Sequence, residues 1–280
     1  MSEKKLLSVL IPGRNQGDIL GKTIDDIAKH GQTLPYDIEV IYIDGNSDDN
    51  SKEVALSKKD KFKNLQVFSD PPNARGKGGA LKLGMSKASG DLKMFMDADN
   101  STNFREIDKL LKYVNEYDIV IGTRYSNKPV VPQKNWFKAF WSAFVDVIYV
   151  IVLGRSKSYT AKRKQGRWRQ FVSRGGNLAF TVLLGQSFTD SRCGFKLFAK
   201  KAADTIFPKI TLPGFGFDTE VFVIAKKYKL SVIEVPIVWY DEAADTNISL
   251  GETFKTFIEI FQIRWRNIKG VYNEKKNSRD

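Results

Sequence analysis

Two aspartates one residue apart, Asp97 and Asp99 in KMFMDADNST (residues 93–102), directly follow an apolar run. Carboxylates this close raise each other's pKa and need compensation. A hard divalent cation such as Mg2+ supplies it, because it typically takes one or two protein carboxylates and completes its shell with phosphate oxygens. The pair could therefore hold a metal that grips a diphosphate. Taken alone the triplet is also an ordinary turn, since Asp and Asn bond their own backbone and tolerate left-handed geometry. The surrounding chain has to decide.

The elements that would position the pair are read from hydrophobic periodicity. LLSVLI precedes GDILGKTIDDIAKHG, whose Ile19, Leu20, Ile24 and Ile27 share one helical face and whose Gly31 suits a C-terminal cap. The β-branched IEVIYID at 38–44 is followed by GNSDDNS, which offers caps for a helix in SKEVALSKKDKF. LQVFSD at 65–70, LKMFMDADN, a helix in FREIDKLLKYVNE and the run DIVIGTRYS complete the first 125 residues. This alternation predicts an α/β fold with a mostly parallel sheet flanked by helices. Ligands of such sheets lie beyond the carboxyl ends of the strands. GRNQ at 13–16, Asp44, Asp97 and Asp99 would then converge on one crevice.

Composition removes other chemistries. The 280 residues are 42% apolar, enough for a substantial core. Cys193 is the sole cysteine and His30 the sole histidine, so an internal disulfide, a histidine zinc site and a Ser-His-Asp triad are all disfavoured. Carboxylate, cation, hydroxyl and backbone remain. With 45 Lys and Arg against 32 Asp and Glu, the formal charge of +13 points to an anionic partner: nucleic acid, a phosphorylated substrate or a membrane surface. No Walker motif is present, and GKGGALKLG lacks its spacing. The stretch RGKGG reads equally well as a glycine-rich helix entry or as Arg75 and Lys77 set near phosphates. MSEKKLLSVLIP is too short in its apolar run for a signal peptide and reads as a first strand.

Several segments together resemble the inverting family 2 glycosyltransferases of GT-A fold, and among them the dolichyl-phosphate or polyprenyl-phosphate sugar synthases. They are SVLIPGRNQ, IDGNSDDNS, ARGKGGALKLGM, DADN, GTRY, SRGGN, DSRCGFKLF and GFGFDTEVFVIAKKYKLSVIEVPIVW, in consistent order from about residue 6 to about 265. The resemblance implies a nucleoside pocket lined by Pro12, Arg14, Asn15, Gln16 and Asp44, with Lys77 on the donor side. It assigns Asp97 and Asp99 to donor phosphates and to Mg2+ or Mn2+, and Arg124, Arg169 and Ser173 to the acceptor phosphate, with Arg124 counted beside the two aspartates as catalytic. Gln16 stands where the family usually has Glu, and Ile43 replaces the first of a frequent Asp pair. Ser101 replaces the metal-binding Gln of mannosyl members, and YDEAADTNISL lacks their basic residue after the closing strand; both lean toward the glucosyl branch. The implied reaction is transfer of a hexose, glucose favoured, from a nucleoside-diphosphate sugar, UDP-glucose favoured, to dolichyl or polyprenyl phosphate.

A lipid acceptor also makes sense of WFKAFWSAFVDVIYVIVLG at 136–154 and the eight Lys and Arg between 155 and 174, which no acid opposes. A crossing helix here would bury Asp146 in hydrocarbon and place donor and acceptor motifs on opposite sides of a membrane. An aromatic helix lying in the interface, with the basic stretch on anionic headgroups, is expected instead; burial in a core or dimer contact, or re-entrant insertion, is left open. The expected organisation is a GT-A catalytic domain over 1–250, followed by an amphipathic basic helix and tail over 251–280. Within the domain, 1–125 form the nucleotide-sugar half, 126–175 the membrane-interface insert and 176–250 the acceptor half. Attachment would be peripheral, at the cytoplasmic face, with no transmembrane anchor; a homo-oligomer is left open and nucleic acid is disfavoured. Two alternatives stand beside this reading: a family 2 transferase that extends a glycan or uses another acceptor, and a non-catalytic membrane-associated sugar-nucleotide-binding module.

Overall fold

The computed structural model describes residues 4–73, 75–132, 188–240 and 250–273, together with Trp141 and Thr181. Within them the chain runs β1 (Lys5–Gly13), α1 (Gly17–Gly31), β2 (Tyr36–Asp44), α2 (Ser51–Leu56), β3 (Asn64–Ser69), α3 (Lys77–Lys87), β4 (Leu92–Met96), α4 (Ile107–Leu111) and β5 (Ile119–Thr123). After residues outside the described set follow β6 (Phe195–Ala199), α5 (Lys200–Ile206), α6 (Phe217–Lys227), β7 (Val232–Pro236) and α7 (Leu250–Ile268). The strands expected from periodicity are present within a residue or two of their expected bounds. The helices after β2 and β4 are shorter than expected and break into 3-10 turns, at Lys59–Lys61 and Phe104–Glu106. Gly31 ends α1 but is not a left-handed cap: a Cβ there would lie 3.0 Å from Ile38, so the glycine serves close packing.

The described strands form one sheet in the order β3-β2-β1-β4-β6-β5-β7. β1, β2, β3 and β4 are mutually parallel, and β5 is parallel to β7. β6 runs antiparallel to both neighbours, pairing Met96 with Phe195 and Ile121 with Lys196. Helices cover both faces, so the strands read as near-continuous apolar runs. Side-chain alternation sorts those runs into two cores. Leu7, Val9 and Ile11 of β1 pack with Met94, Met96 and the α1 residues Leu20, Ile24 and Ile27. Leu10 faces the other way, with Phe95, Phe198 and residues of α3, α5 and α6. Truncating a core side chain such as Leu10 to Ala would cost about 2–5 kcal/mol.

Buried lysines break the apolar pattern, Lys93 on β4 and, most deeply, Lys196 on β6. Lys196 on β6 is fully buried, paired with Asp218 at the start of α6 and surrounded by the rings of Phe95, Phe217 and Phe222. Removing either partner would strand a charge in the core. The last helix is tied in by a second buried acid: Glu220 accepts from the backbone N of Thr211 and Leu212, each at 2.8 Å, and from the Tyr272 hydroxyl at 2.6 Å. Ile260 and Ile263 of α7 are buried, whereas Ile258, Phe261, Trp265 and Ile268 are exposed. No helix among the described residues is long and apolar enough to cross a membrane.

Candidate active site

Parallel pairing places the ends of β1, β2 and β4 on one edge. Gly13 pairs with Asp44 at the carboxyl ends of β1 and β2, and a Cβ on Gly13 would lie 3.0 Å from the Cβ of Ala98. The loops after these strands interlock. Asn15, in left-handed backbone at φ 53°, donates its backbone N to the Ser47 hydroxyl (3.0 Å) and accepts from the backbone N of Asp48 (2.9 Å). Gln16 donates its backbone N to the Ser51 hydroxyl at 2.8 Å. Asp44 is buried and accepts from Ser47 through both backbone N (3.2 Å) and hydroxyl (2.5 Å). Pro12 is buried, while Arg14 is exposed and pairs loosely with Asp48 at 3.4 Å.

The glycines in the first turn of α3 do not offer their amides to a ligand. The backbone N of Gly78 and of Gly79 both donate to the Pro213 carbonyl, at 2.7 and 3.1 Å, and a Cβ on Gly78 would sit 2.4 Å from the Leu212 carbonyl oxygen. They are where α3 meets the loop before α6. Lys77 instead pairs with Asp97. Burial alone would push the Lys77 ammonium down, but the charges of Asp97, Asp218 and Asp99 raise it, so it stays cationic.

Asp97 and Asp99 follow β4 and line a cavity of about 170 Å3 together with Ser101, Thr102, Arg124, Arg192, Cys193, Gly194 and Trp239. Asp99 accepts from the backbone N of Ser101 at 3.0 Å, yet burial and the neighbouring Asp97 charge push its carboxyl above the usual range. Two hard oxygen donors crowded in this way suit a divalent cation that also takes ligand oxygens. Among the described residues no cluster of three or more His, Cys, Asp or Glu side chains could supply a metal by itself.

The opposite wall depends on the inversion of β6. Because β6 is antiparallel, residues before it, not after it, reach the carboxyl-end edge. Gly194 lies directly beneath Asp97: a Cβ there would be 1.8 Å from Asp97 Oδ2. Cys193 is free and buried, its thiol pushed up to about 12 by burial and the Asp190 charge. Arg124, after β5, donates through Nε (2.7 Å) and Nη2 (2.8 Å) to the two oxygens of Asp190, and its backbone N reaches Asp190 at 3.1 Å. The guanidinium lies 5.4 Å from the Tyr125 ring centroid and 5.0 Å from that of Trp239. Burial alone would lower the Arg124 pKa, but Asp190 reverses that and holds the group cationic.

Asp190 is itself positioned. Glu234, fully buried on β7, accepts from the backbone N of Thr189 (2.9 Å) and of Asp190 (2.8 Å) and from the Thr189 hydroxyl (2.8 Å). Burial pushes the Glu234 carboxyl up to about 7 against those donors. Of the residues expected from sequence, then, the cavity unites Asp97, Asp99 and Arg124, with Lys77 joined through Asp97. Pro12, Arg14, Asn15, Gln16 and Asp44 sit along the adjoining strand ends. Arg169 and Ser173, and the insert at 136–154 with its basic stretch, lie outside the described residues. Sequence reading assigned no role to Asp190, Arg192, Gly194, Glu234 or Trp239; the only signal was that DSRCGFKLF and EVPIVW form recognisable blocks.

The comparisons with known proteins agree with this architecture. Residues 8–207 match the family model "Glycosyl transferase family 2". The chain belongs to that family. It is a glycosyltransferase, similar over nearly its whole length to proteins named dolichyl-phosphate beta-glucosyltransferase. One from Dictyostelium discoideum is 26% identical, with 96% of this chain and 77% of that protein covered. Another from Saccharomyces cerevisiae is 27% identical, covering 98% and 78%. Among solved structures, glucosyl-3-phosphoglycerate synthase from Mycobacterium tuberculosis, crystallised with Mn2+, UDP-glucose and phosphoglyceric acid, superposes with a TM-score of 0.63 at 17% identity, over 93% of this chain and 80% of that one. That likeness shows the GT-A fold.

Proposed function

We propose that this glycosyltransferase moves glucose from UDP-glucose to the phosphate of dolichol or a related polyprenol, with inversion at the anomeric carbon. The near-full-length similarity to dolichyl-phosphate beta-glucosyltransferases carries this reading. The chemistry of the cleft supports it. An acceptor phosphate with a second pKa near about 6 is already largely dianionic at neutral pH, so no general base has to be found. Catalysis rests on holding the acceptor oxygen behind the anomeric carbon and on neutralising the departing diphosphate.

In this proposal Pro12, Arg14, Asn15, Gln16 and Asp44 receive the nucleoside. Asp97 and Asp99 hold Mg2+ or Mn2+ against the donor diphosphate, and a bound cation of this kind would stabilise the charge of the leaving UDP. Lys77 pairs with Asp97 and orients it. Arg124, fixed by Asp190 between Tyr125 and Trp239, presents a rigid cation to the acceptor phosphate together with Arg169 and Ser173. The donor half, the insert, the acceptor half and the C-terminal helix remain the proposed divisions of the chain. Attachment to the cytoplasmic face of a membrane is peripheral, through the insert and the exposed stripe Ile258, Phe261, Trp265 and Ile268 of α7, beside Arg264 and Lys269.

A screen of UDP- and GDP-sugars against dolichyl phosphate, with product mass read directly, tests the reading. UDP-glucose should give glucosyl-phosphodolichol and UDP. Transfer only to a glycan or another non-phosphate acceptor would refute it.

A further inference from the structure

The two arginines of the cavity differ in what they already hold. Arg124 is committed to Asp190 by a two-pronged hydrogen bond and is enclosed by two aromatic rings. Arg192 lines the same cavity as Asp97 and Asp99, yet it makes no hydrogen bond or ion pair among the described residues. The carboxylates whose charge it feels are Asp218 and Glu259. Neither pairs with it: Asp218 is bound to Lys196, and Glu259 lies against the Gly214–Gly216 turn. Part of the Arg192 side chain is exposed, while the protein around its head is enough for burial to lower its pKa, and among the described residues no group takes its five donors.

The transfer site must accommodate two anions, a diphosphate and an acceptor phosphate, beside the carboxylates of Asp97 and Asp99. An unpaired guanidinium at that point matches phosphate in charge and in fork geometry. We propose that Arg192 is a phosphoryl-oxygen ligand of the transfer site, binding either the donor diphosphate or the acceptor phosphate. This assignment rests on the proposed function for the identity of its two anions.

The test compares wild type with Arg192→Gln and Arg192→Lys. Calorimetric titration with UDP and Mg2+ reads the donor side. The KM for dolichyl phosphate at saturating UDP-glucose reads the acceptor side, and melting temperature reads the fold. Arg192→Gln should weaken one of the two by about tenfold or more, with an unchanged melting temperature and partial recovery in Arg192→Lys. Loss on the UDP arm assigns the donor diphosphate, and loss on the KM arm assigns the acceptor. If both stay within twofold of wild type, or fall only together with the melting temperature, Arg192 is a surface or structural residue and the proposal is wrong. Should wild type bind UDP but transfer nothing to dolichyl phosphate, the proposed function fails separately, and titrations with UDP and with inorganic phosphate then decide the Arg192 assignment.

Discussion

On the β1, β2 and β4 side of the cleft, the charged residues stand at or just after the carboxyl ends of their strands, whereas on the other side Asp190 and Arg192 precede β6. The first side is local in its construction: Asp44 is bound by Ser47 three residues on, and Asp99 by Ser101 two residues on. The second is assembled across the chain, with Glu234 of β7 gripping Thr189 and Asp190, and Asp190 gripping Arg124 after β5. Their electrostatics differ in the same way. Asp99 is left crowded by Asp97 and only partly compensated, which suits a site completed by its ligands. Arg124 is fully compensated before any ligand arrives, which suits a group that must not move. The same cleft thus pairs a side finished by substrate with a side finished by the fold.

The sharpest way to separate the two sides is to remove charge from the first. Asp99→Asn keeps shape and should lower turnover on the order of a thousandfold, while melting temperature holds or rises because a crowded buried anion is gone. Turnover that survives this change, or survives exhaustive chelation, would remove the metal assignment.

Gly194→Ala reaches the first side from the second. The added methyl would displace the Asp97 carboxylate, the end of a side chain and not backbone, so stability should change little. Turnover should fall about a hundredfold from misplacement of about an ångström. A variant as active as wild type would show that Asp97 does not need its present position.

A smaller effect is expected from the buried acid behind Arg124. The folded pKa of Glu234, about 7, lies above the ordinary value of 4.5, so the folded state holds a proton that the unfolded chain releases. Its contribution is fully present below about pH 4.5 and is lost as pH rises through about 7, amounting to on the order of 3 kcal/mol. Relative to wild type, Glu234→Gln should flatten that part of the stability curve in thermal melts between pH 4.5 and 8. It should also raise the KM for acceptor more than that for donor. Parallel stability curves would mean that Glu234 does not titrate in this window.

The mildest change concerns the surface. Replacing Phe261 and Trp265 by Ser should reduce binding to anionic vesicles several-fold even at low salt, and leave UDP binding and melting temperature unaltered, because both side chains are exposed. If the wild type itself ignores anionic vesicles at low salt, the exposed stripe of α7 serves another purpose.

Hydrophobic period and chain order were enough to read β1 to β5, the helices between them and the Asp97–Asp99 pair, because each depends on residues close in sequence and on a general rule for parallel sheets. GRNQ and Asp44 could be placed on the same edge for that reason. The second wall could not be read this way. FKLFA looks like any short buried strand, and nothing in its pattern says that it runs antiparallel; that is set by pairing with β4 and β5, whose residues lie about a hundred and about seventy-five positions earlier. The direction of that one strand decides that Arg192 lines the cavity of the aspartates, that Gly194, beneath Asp97, must lack a side chain and that Asp190 meets Arg124. Glu234 likewise gave no sign in sequence, since a carboxylate in EVPIVW acquires its donors only when β7 meets the Thr189–Asp190 segment that precedes β6. Local chemistry chose the residues that could act, and long-range strand pairing, which local periodicity does not encode, chose which of them meet.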